Sequence, residues 1–210
     1  GNLDKGNWRG RLASGRVQTG GQNWQLQQAA KLERLADGKV NFGAHCWVSG
    51  PSSLCGEDQR LVPEPRLRYH LKNFPLDSLA QWLPKDFAWK GALNADVQLD
   101  VPAAGPNGQI TVNANGGTLR IRENNQWLDF PYETLVLNSK LTPKLIDSRL
   151  DFRGEKLGTL QVAAQIDPLA KNKTLNGNFS LSGLDLSIAR PFVPMVQKLN
   201  GKLNGSGRLS

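Results

Sequence analysis

Cysteine, histidine and methionine are scarce in this chain: Cys46 and Cys55, His45 and His70, and the lone Met195 are all it holds in 210 residues. Two histidines leave few candidate bases. A nucleophilic triad needs a base oriented by a third group, and nothing in the sequence marks such a set. No G-x-S-x-G elbow, phosphate-binding Gly loop, H-E-x-x-H or paired C-x-x-C is present. The carboxylates Asp96, Asp100, Asp129, Asp147 and Asp151 fall at strand positions that read as solvent-facing, so a paired-carboxylate hydrolase is not expected. The sequence thus predicts a non-catalytic protein with no cofactor and no metal. Long apolar runs are also missing, and none approaches the roughly 18 residues needed to cross a bilayer. No leader pattern is visible and residue 1 is Gly, so any anchor or export signal is expected outside this stretch. The net charge is +8, yet Lys and Arg are spread singly with no run of four. That distribution reads as solvated strand faces and edges, where cations discourage edge-to-edge association, and not as a nucleic-acid footprint.

What is abundant is alternation. Val40, Phe42, Ala44, Cys46 and Val48 share one face of a strand read over 40–48, as do Leu93, Ala95, Val97, Leu99 and Val101 over 93–101. Similar runs are Leu67/Tyr69/Leu71, Ile110/Val112/Ala114, Ile146/Ser148/Leu150/Phe152, Leu160/Val162/Ala164/Ile166 and Leu175/Gly177/Phe179/Leu181; Leu135–Leu137 is a short apolar patch. Turn signals such as Gly20-Gly21, Asp37-Gly38, Asn107-Gly108, Asn115-Gly116-Gly117, Glu123-Asn124-Asn125 and Asp167-Pro168 separate them. The 22 glycines and 12 prolines fit that many turns. The expected fold class is mostly β, a long antiparallel meander with one dry face and one wet face. Dry-face positions expected to line a binding surface are Val40, Phe42, Leu93, Val97, Leu99, Ile110, Val112, Leu150, Phe152, Leu160 and Val162. Small residues (Ala44, Ala95, Ala114, Ala164, Gly177) thin that face, which fits both an unfilled channel and a tapered closed core.

Residues 71–99 and 181–209 repeat each other at a spacing of 110. Leu71/Leu181, Leu76/Leu186, Pro84/Pro194, Gly91/Gly201, Leu93/Leu203, Asn94/Asn204 and Leu99/Leu209 coincide without a gap, against roughly two identities expected by chance. A third trace, Trp8-x-Gly10-x-Leu12, matches Trp89-x-Gly91-x-Leu93. Fixed-period similarity marks stacked architectures, so the expectation is a single elongated β-rich piece of a longer array. Its units would lie near 1–100 and 101–210, with the next beginning near 201. Helix signals fall inside the repeat: Asp77 and Ser187 are candidate N-caps, and Leu79, Trp82 and Leu83 share a helical face. Pro191 makes the second copy irregular. Each short helix is expected to lie on the dry face.

The two cysteines flank Ser-Gly-Pro-Ser-Ser, turn chemistry that would bring the sulfurs together in a disulfide; two inert buried thiols or zinc with His45 and His70 are the alternatives. The loop 50–66 is the longest stretch without alternation and reads as a stapled surface excursion. Trp8 and Trp89, exchanged for Leu199 in the third repeat position, read as packing residues, whereas Trp47 and Trp127 lie out of phase with their strands and read as exposed contacts.

The segments LDLSIARPFVP…LNGKLNGSGRL and FPLDSLAQWLP…WKGALNADVQL resemble the signature of AsmA-like repeat proteins. More closely, AHCWVSGPSSLCGEDQRLVPEPRLRYHLKNFPLDSLAQWLP and LDFRGEKLGTLQVAAQIDPL resemble the large periplasmic subunits of translocation and assembly modules. The resemblance implies a protein anchored in the inner membrane of a Gram-negative cell, its β body crossing the periplasm to the outer-membrane barrel subunit TamA. It implies a "β-taco", a long sheet curved over an apolar groove that carries phospholipid acyl chains or apolar strands of outer-membrane proteins and autotransporters. An oxidising periplasm agrees with the disulfide reading. The competing expectation is a structural spacer with a closed core that recruits partner strands by β-augmentation.

Overall fold

A computed structural model describes residues 2–4, 6–19, 21–167, 175–192 and 201–209. The repeat positions Pro194 and Leu199, and the turn residues Gly20 and Pro168, lie outside them. Strands run in chain order as β1 (Asn2–Asp4), β2 (Asn7–Leu12), β3 (Arg16–Thr19), β4 (Gln22–Leu26), β5 (Ala30–Arg34), β6 (Val40–Phe42), β7 (His45–Ser49), β8 (Ser52–Gly56), β9 (Gln59–Val62) and β10 (Arg66–Pro75). A 3₁₀ helix, Leu76–Trp82, leads to β11 (Phe87–Lys90), β12 (Ala92–Asp100), β13 (Asn107–Asn113), β14 (Thr118–Glu123), β15 (Gln126–Pro131), β16 (Thr134–Thr142), β17 (Leu145–Gly154), β18 (Gly158–Ile166) and β19 (Leu175–Asp185). A second 3₁₀ helix, Leu186–Phe192, precedes β20 (Lys202–Leu209). The expected mostly-β class with two short helices is what the chain adopts.

From β10 onward the sheet is an antiparallel meander in the order β10, β12, β13, β16, β17, β18, β19, β20. On the other side of β10 lie four longer strands, each interrupted once: β8/β9, then β7/β6, β4/β5 and β3/β2. The segment 50–66, expected as a loop, is therefore β8 and β9. Its missing alternation has a physical cause: Cys55 opposes His70 and Arg60 opposes Arg66, so five residues on one strand span four on its neighbour. The extra residue is a β-bulge, and a bulge reverses which face later side chains occupy. The neighbouring strand breaks alongside it at Gly43–Ala44. Val40 and Phe42 therefore lie on the face opposite Ala44, Cys46 and Val48, which corrects the single face expected for 40–48.

The repeat is a repeat of backbone geometry. A bulge interrupts β10 between Leu71 and Phe74 and β19 between Leu181 and Leu184. Its residues Asn73 and Gly183 sit at φ 53° and 60°. Each donates its N–H to the side-chain oxygen of the repeat's asparagine, Asn73 to Asn94 at 3.0 Å and Gly183 to Asn204 at 2.6 Å. The 3₁₀ helix then begins where Leu76 and Leu186 donate N–H to the carbonyls of Gly91 and Gly201, at 2.9 and 3.0 Å. Those glycines hold φ of 133° and 117°, a region that disfavours any Cβ. The predicted caps shift by one turn position: Asp77 caps nothing and Pro75 precedes the first helix, while Asp185 rather than Ser187 caps the second by accepting the Ser187 N–H at 2.9 Å. Three residues per turn place Leu76, Leu79 and Trp82 in line, with Leu76 fully buried and Trp82 65% exposed.

Among the described residues, full burial of large apolar side chains is concentrated in one region. Beyond Gly91, Ala114–Gly117 and Tyr132 the chain forms a small sheet, β11–β14–β15. At that junction Leu76, Phe87, Ala114, Ile121, Tyr132 and Leu157 are buried. Trp89 Nε1 donates to the Tyr132 hydroxyl at 2.9 Å, and the Tyr132 and Phe152 rings lie 5.5 Å apart. Burial holds the Tyr132 phenol above its usual pKa, partly offset by the Trp89 hydrogen bond.

Asn94→Ala is expected to lower stability by about 0.5–1.5 kcal/mol, because it removes the hydrogen bond that holds the Asn73 N–H. Urea denaturation of the variant beside wild type measures this; an unchanged midpoint would mean the asparagine does not pin the bulge.

Candidate functional site: an apolar sheet face

Cross-strand register decides which side chains share a face, and here it produces rows of apolar residues perpendicular to the strands. One row runs Leu71, Ala95, Val112, Leu137, Leu150, Val162 and Phe179. It continues on the other side of β10 through Leu54, Trp47 and Leu26. On one flank lies Leu135, Phe152, Leu160 and Leu181. On the other flank Tyr69, Val97, Ile110, Ser139, Ser148, Ala164 and Gly177 align, followed by Leu67, Leu99, Gly108, Leu141, Ile146 and Ile166. Ser139 and Ser148 satisfy each other, Oγ to Oγ at 2.8 Å, so the row carries no stranded hydroxyl there.

All eleven positions singled out in the sequence fall on this face. Val97, Leu99, Ile110, Val112, Leu150, Phe152, Leu160 and Val162 stand in the rows above, and Leu93 sits beside them opposite Phe74. Val40 opposes Val62, and Phe42 stacks on His45 with ring centroids 4.1 Å apart. Each of the eleven is half-buried. The sequence reading omitted Leu71, Leu137, Trp47, Leu54 and Phe179 from the set. Leu71 and Phe179 lay in runs already visible as alternating; Leu137 was masked by the unbroken Leu135–Leu137, and Trp47 and Leu54 by the strand break. Trp47 is thus not an exposed contact: its ring fills the space where a Cβ on Gly15 would sit. Trp127 is 38% exposed, as expected, with the Arg120 guanidinium 5.5 Å from its ring centroid. Of the small residues, Ala95, Ala164 and Gly177 thin the face, whereas Ala44 lies on the opposite side.

The polar exceptions on the apolar face gather at the strand breaks. His45, buried, holds Nδ1 2.8 Å from the Gly43 carbonyl, which requires the proton there; its Nε2 then accepts from the Tyr69 hydroxyl at 3.2 Å. The opposite face carries the charges. There Cys46 and Cys55, directly opposed, form a disulfide with Cα atoms 4.0 Å apart, which decides among the three readings left open for them. Beside it His70 Nδ1 lies 2.5 Å from Asp96 Oδ1 and Nε2 lies 3.3 Å from Glu57 Oε1. Only the imidazolium can donate to both carboxylates. The hydrogen bond to Asp96, then that to Glu57, raises the His70 pKa above 6.5 against a smaller effect of burial. Among the described residues no group of three or more His, Cys, Asp or Glu side chains is placed to hold a metal ion.

A long antiparallel meander with one largely apolar face, punctuated by a recurring bulge and 3₁₀ helix, defines a β-sheet protein built from a repeated backbone device. The chain belongs to the TamB family: the model for "TamB, N-terminal domain" matches residues 1–210. It is similar to the translocation and assembly module subunit TamB of Haemophilus influenzae, 24% identical over 168 residues that cover 79% of this chain. Those residues make up 13% of that relative's length. No solved structure matches the chain.

The raised His70 pKa carries a pH dependence with a definite sign. Folding then binds a proton more tightly than the unfolded chain does, so the stabilisation is complete below about pH 6.5 and is lost as pH rises through the folded midpoint. An NMR titration should place the His70 midpoint above 6.5, and Asp96→Asn should move it down.

Proposed function

We propose that this segment is a non-catalytic wall of a periplasmic conduit, whose apolar face binds lipid acyl chains or apolar β-strands on their way between the two membranes of a Gram-negative envelope. The single observation that carries this reading is the mismatch between apolar area and burial. Apolar side chains line the face across every strand of the meander from β10 to β19, yet among the described residues full burial of apolar side chains occurs only at the small-sheet junction and at Ala30. A sheet face of that kind is completed by a second layer or by a ligand. Burying a methylene against it is worth about 0.8 kcal/mol, so an acyl chain of ordinary length would bind without any polar recognition. At roughly 4.8 Å per strand, the row from Leu71 to Phe179 spans about 29 Å. One leaflet of a bilayer core is about 15 Å deep, so the row is long enough to seat an acyl chain along its full length.

The relative's name places it in a translocation and assembly module, and by family membership the same role is proposed here, with the outer-membrane barrel TamA as partner through other parts of the protein. The disulfide supports an oxidising compartment, consistent with the periplasm. Curvature of the sheet into a groove belongs to the same proposal.

Photo-crosslinking in living cells tests it, with the reactive residue placed at Leu99 or Val162 and, as controls, at Gln98 or Gln161 on the opposite face. Phospholipid or outer-membrane-protein adducts are expected from the first pair and not the second; equal adducts from both faces would sink the reading. Leu99→Arg and Val162→Arg, checked for folding by circular dichroism, should each abolish complementation of a deletion strain. Retained function in both variants would remove the apolar face from the mechanism.

A further inference from the structure

Both 3₁₀ helices start on the apolar side of the sheet and run back toward earlier strands. Phe74 opposes Leu93 and Leu184 opposes Leu203 on that side, and Leu76 and Leu186 follow two residues later. The direction of the first helix is fixed by a hydrogen bond from Gln22 Nε2 to Ser78 Oγ, at 2.6 Å. Gln22 shares a face of β4 with Leu26, which opposes Trp47, so this helix reaches back across β8 and β7 toward β4. The second helix reaches from β19 to the small sheet. There the Phe192 ring meets the Phe87 ring edge-on, centroids 4.9 Å apart, and Arg190 Nη1 donates to Glu123 Oε1 at 2.6 Å. On the way it passes the β17–β18 turn, where the Leu157 carbonyl accepts the Asp185 N–H at 3.1 Å. The nearest part of the apolar face is its flank row, Leu135, Phe152, Leu160 and Leu181.

The root of each helix is held differently from its far end. At the root, Leu76 and Leu186 donate N–H to the Gly91 and Gly201 carbonyls, and Leu76 is fully buried. At the far end Phe192 is half exposed, and the Glu123 side chain that receives Arg190 is open to water. An ion pair in contact with solvent is a weak tie. The first copy shows the same helix without it. Across the 110-residue spacing, Arg190 and Phe192 correspond to Ala80, which carries no charge, and to the exposed Trp82. The helix therefore forms whether or not its far end is docked on a small sheet. A hinged element needs just this: a fixed root, and a far end whose docked and free positions differ little in energy.

We infer that the second 3₁₀ helix is a hinged strap over the end of the apolar face, latched to the small sheet through Arg190–Glu123 and Phe192–Phe87, and that its release uncovers the flank row to an acyl chain. The strap stands on its own contacts, whereas the acyl chain rests on the reading of the sheet face. Fluorine NMR of the whole 210-residue chain, its seven phenylalanines replaced by 4-fluorophenylalanine, follows the latch directly. The Phe192 resonance, identified by its loss in Phe192→Leu, should move in Arg190→Glu, where like charges meet. It should return in Arg190→Glu combined with Glu123→Arg, while the Phe42 and Phe74 resonances hold still throughout. A Phe192 resonance that stays in place in Arg190→Glu, or does not return in the exchanged pair, would overturn the latch. The second probe is palmitic acid with a terminal diazirine, photolysed with wild type, Arg190→Glu and the exchanged pair and read by mass spectrometry of labelled peptides. Arg190→Glu should raise labelling within 158–166 by about threefold or more, and the exchanged pair should restore the wild-type level. Labelling within 107–113, away from the strap, should stay within about twofold. Equal labelling of 158–166 in all three forms would overturn the strap as a gate. Absence of labelling on every strand in all three would remove the reading of the sheet face, and the fluorine spectra would still decide the strap.

Discussion

A single antiparallel sheet keeps an apolar face only while its strands hold register, because a slip of one residue turns every side chain to the other side. In this protein that constraint is exercised across many strands in succession, and errors would accumulate along the meander. The recurring Asn94 and Asn204 side chains act against this. Each fixes a bulge residue by its N–H, and each bulge is followed by a 3₁₀ helix anchored on a glycine carbonyl. The identical residues of the repeat are thus concentrated in the device that sets register, while the face between is free to vary among apolar types. The chemistry of the face is generic, and its continuity is specific.

The strand breaks in the first third do a different job. One extra residue between Cys55 and Arg60 reverses the face, and the neighbouring strand breaks beside it. The alternation resumes with apolar groups on the same side, but the break admits His45, Gln59 and Tyr69 among them. The disulfide and the His70–Asp96–Glu57 cluster lie on the reverse side of the same strands, where they tie β7, β8, β10 and β12 together next to the irregularity. A region that interrupts the backbone ladder is thereby held by side-chain links. Polar groups within an otherwise apolar face give this end of the sheet a chemistry that the later strands lack.

Much of the face could be read from the sequence, and particular residues show why. In β12, β13, β17 and β18 the strands are uninterrupted, so Val97, Leu99, Ile110, Val112, Leu150 and Val162 obey a strict period of two. Trp47 and Leu54 escaped because the break at Gly43–Ala44 and the bulge after Gly56 shift the phase, and a bulge leaves no composition signal of its own. The loop assigned to 50–66 failed for the same reason. The helix caps were misplaced because a 3₁₀ turn closes after three residues, so Leu76 and not Asp77 opens the helix. Gln59 gave no sign at all; an isolated glutamine in a polar stretch reads as surface, and only packing buried it.

The sequence by itself determined that the chain is mostly β, that one face is apolar, that catalytic groups are scarce and that two stretches share a design. These properties are local or periodic, and side-chain alternation writes them directly into residue order. Tertiary structure alone decided which alternating runs share a face, which of the two cysteine-bearing strands oppose one another, and where burial is complete. Those depend on register between strands distant in sequence, and register is set by backbone hydrogen bonds and single-residue bulges that residue type barely encodes.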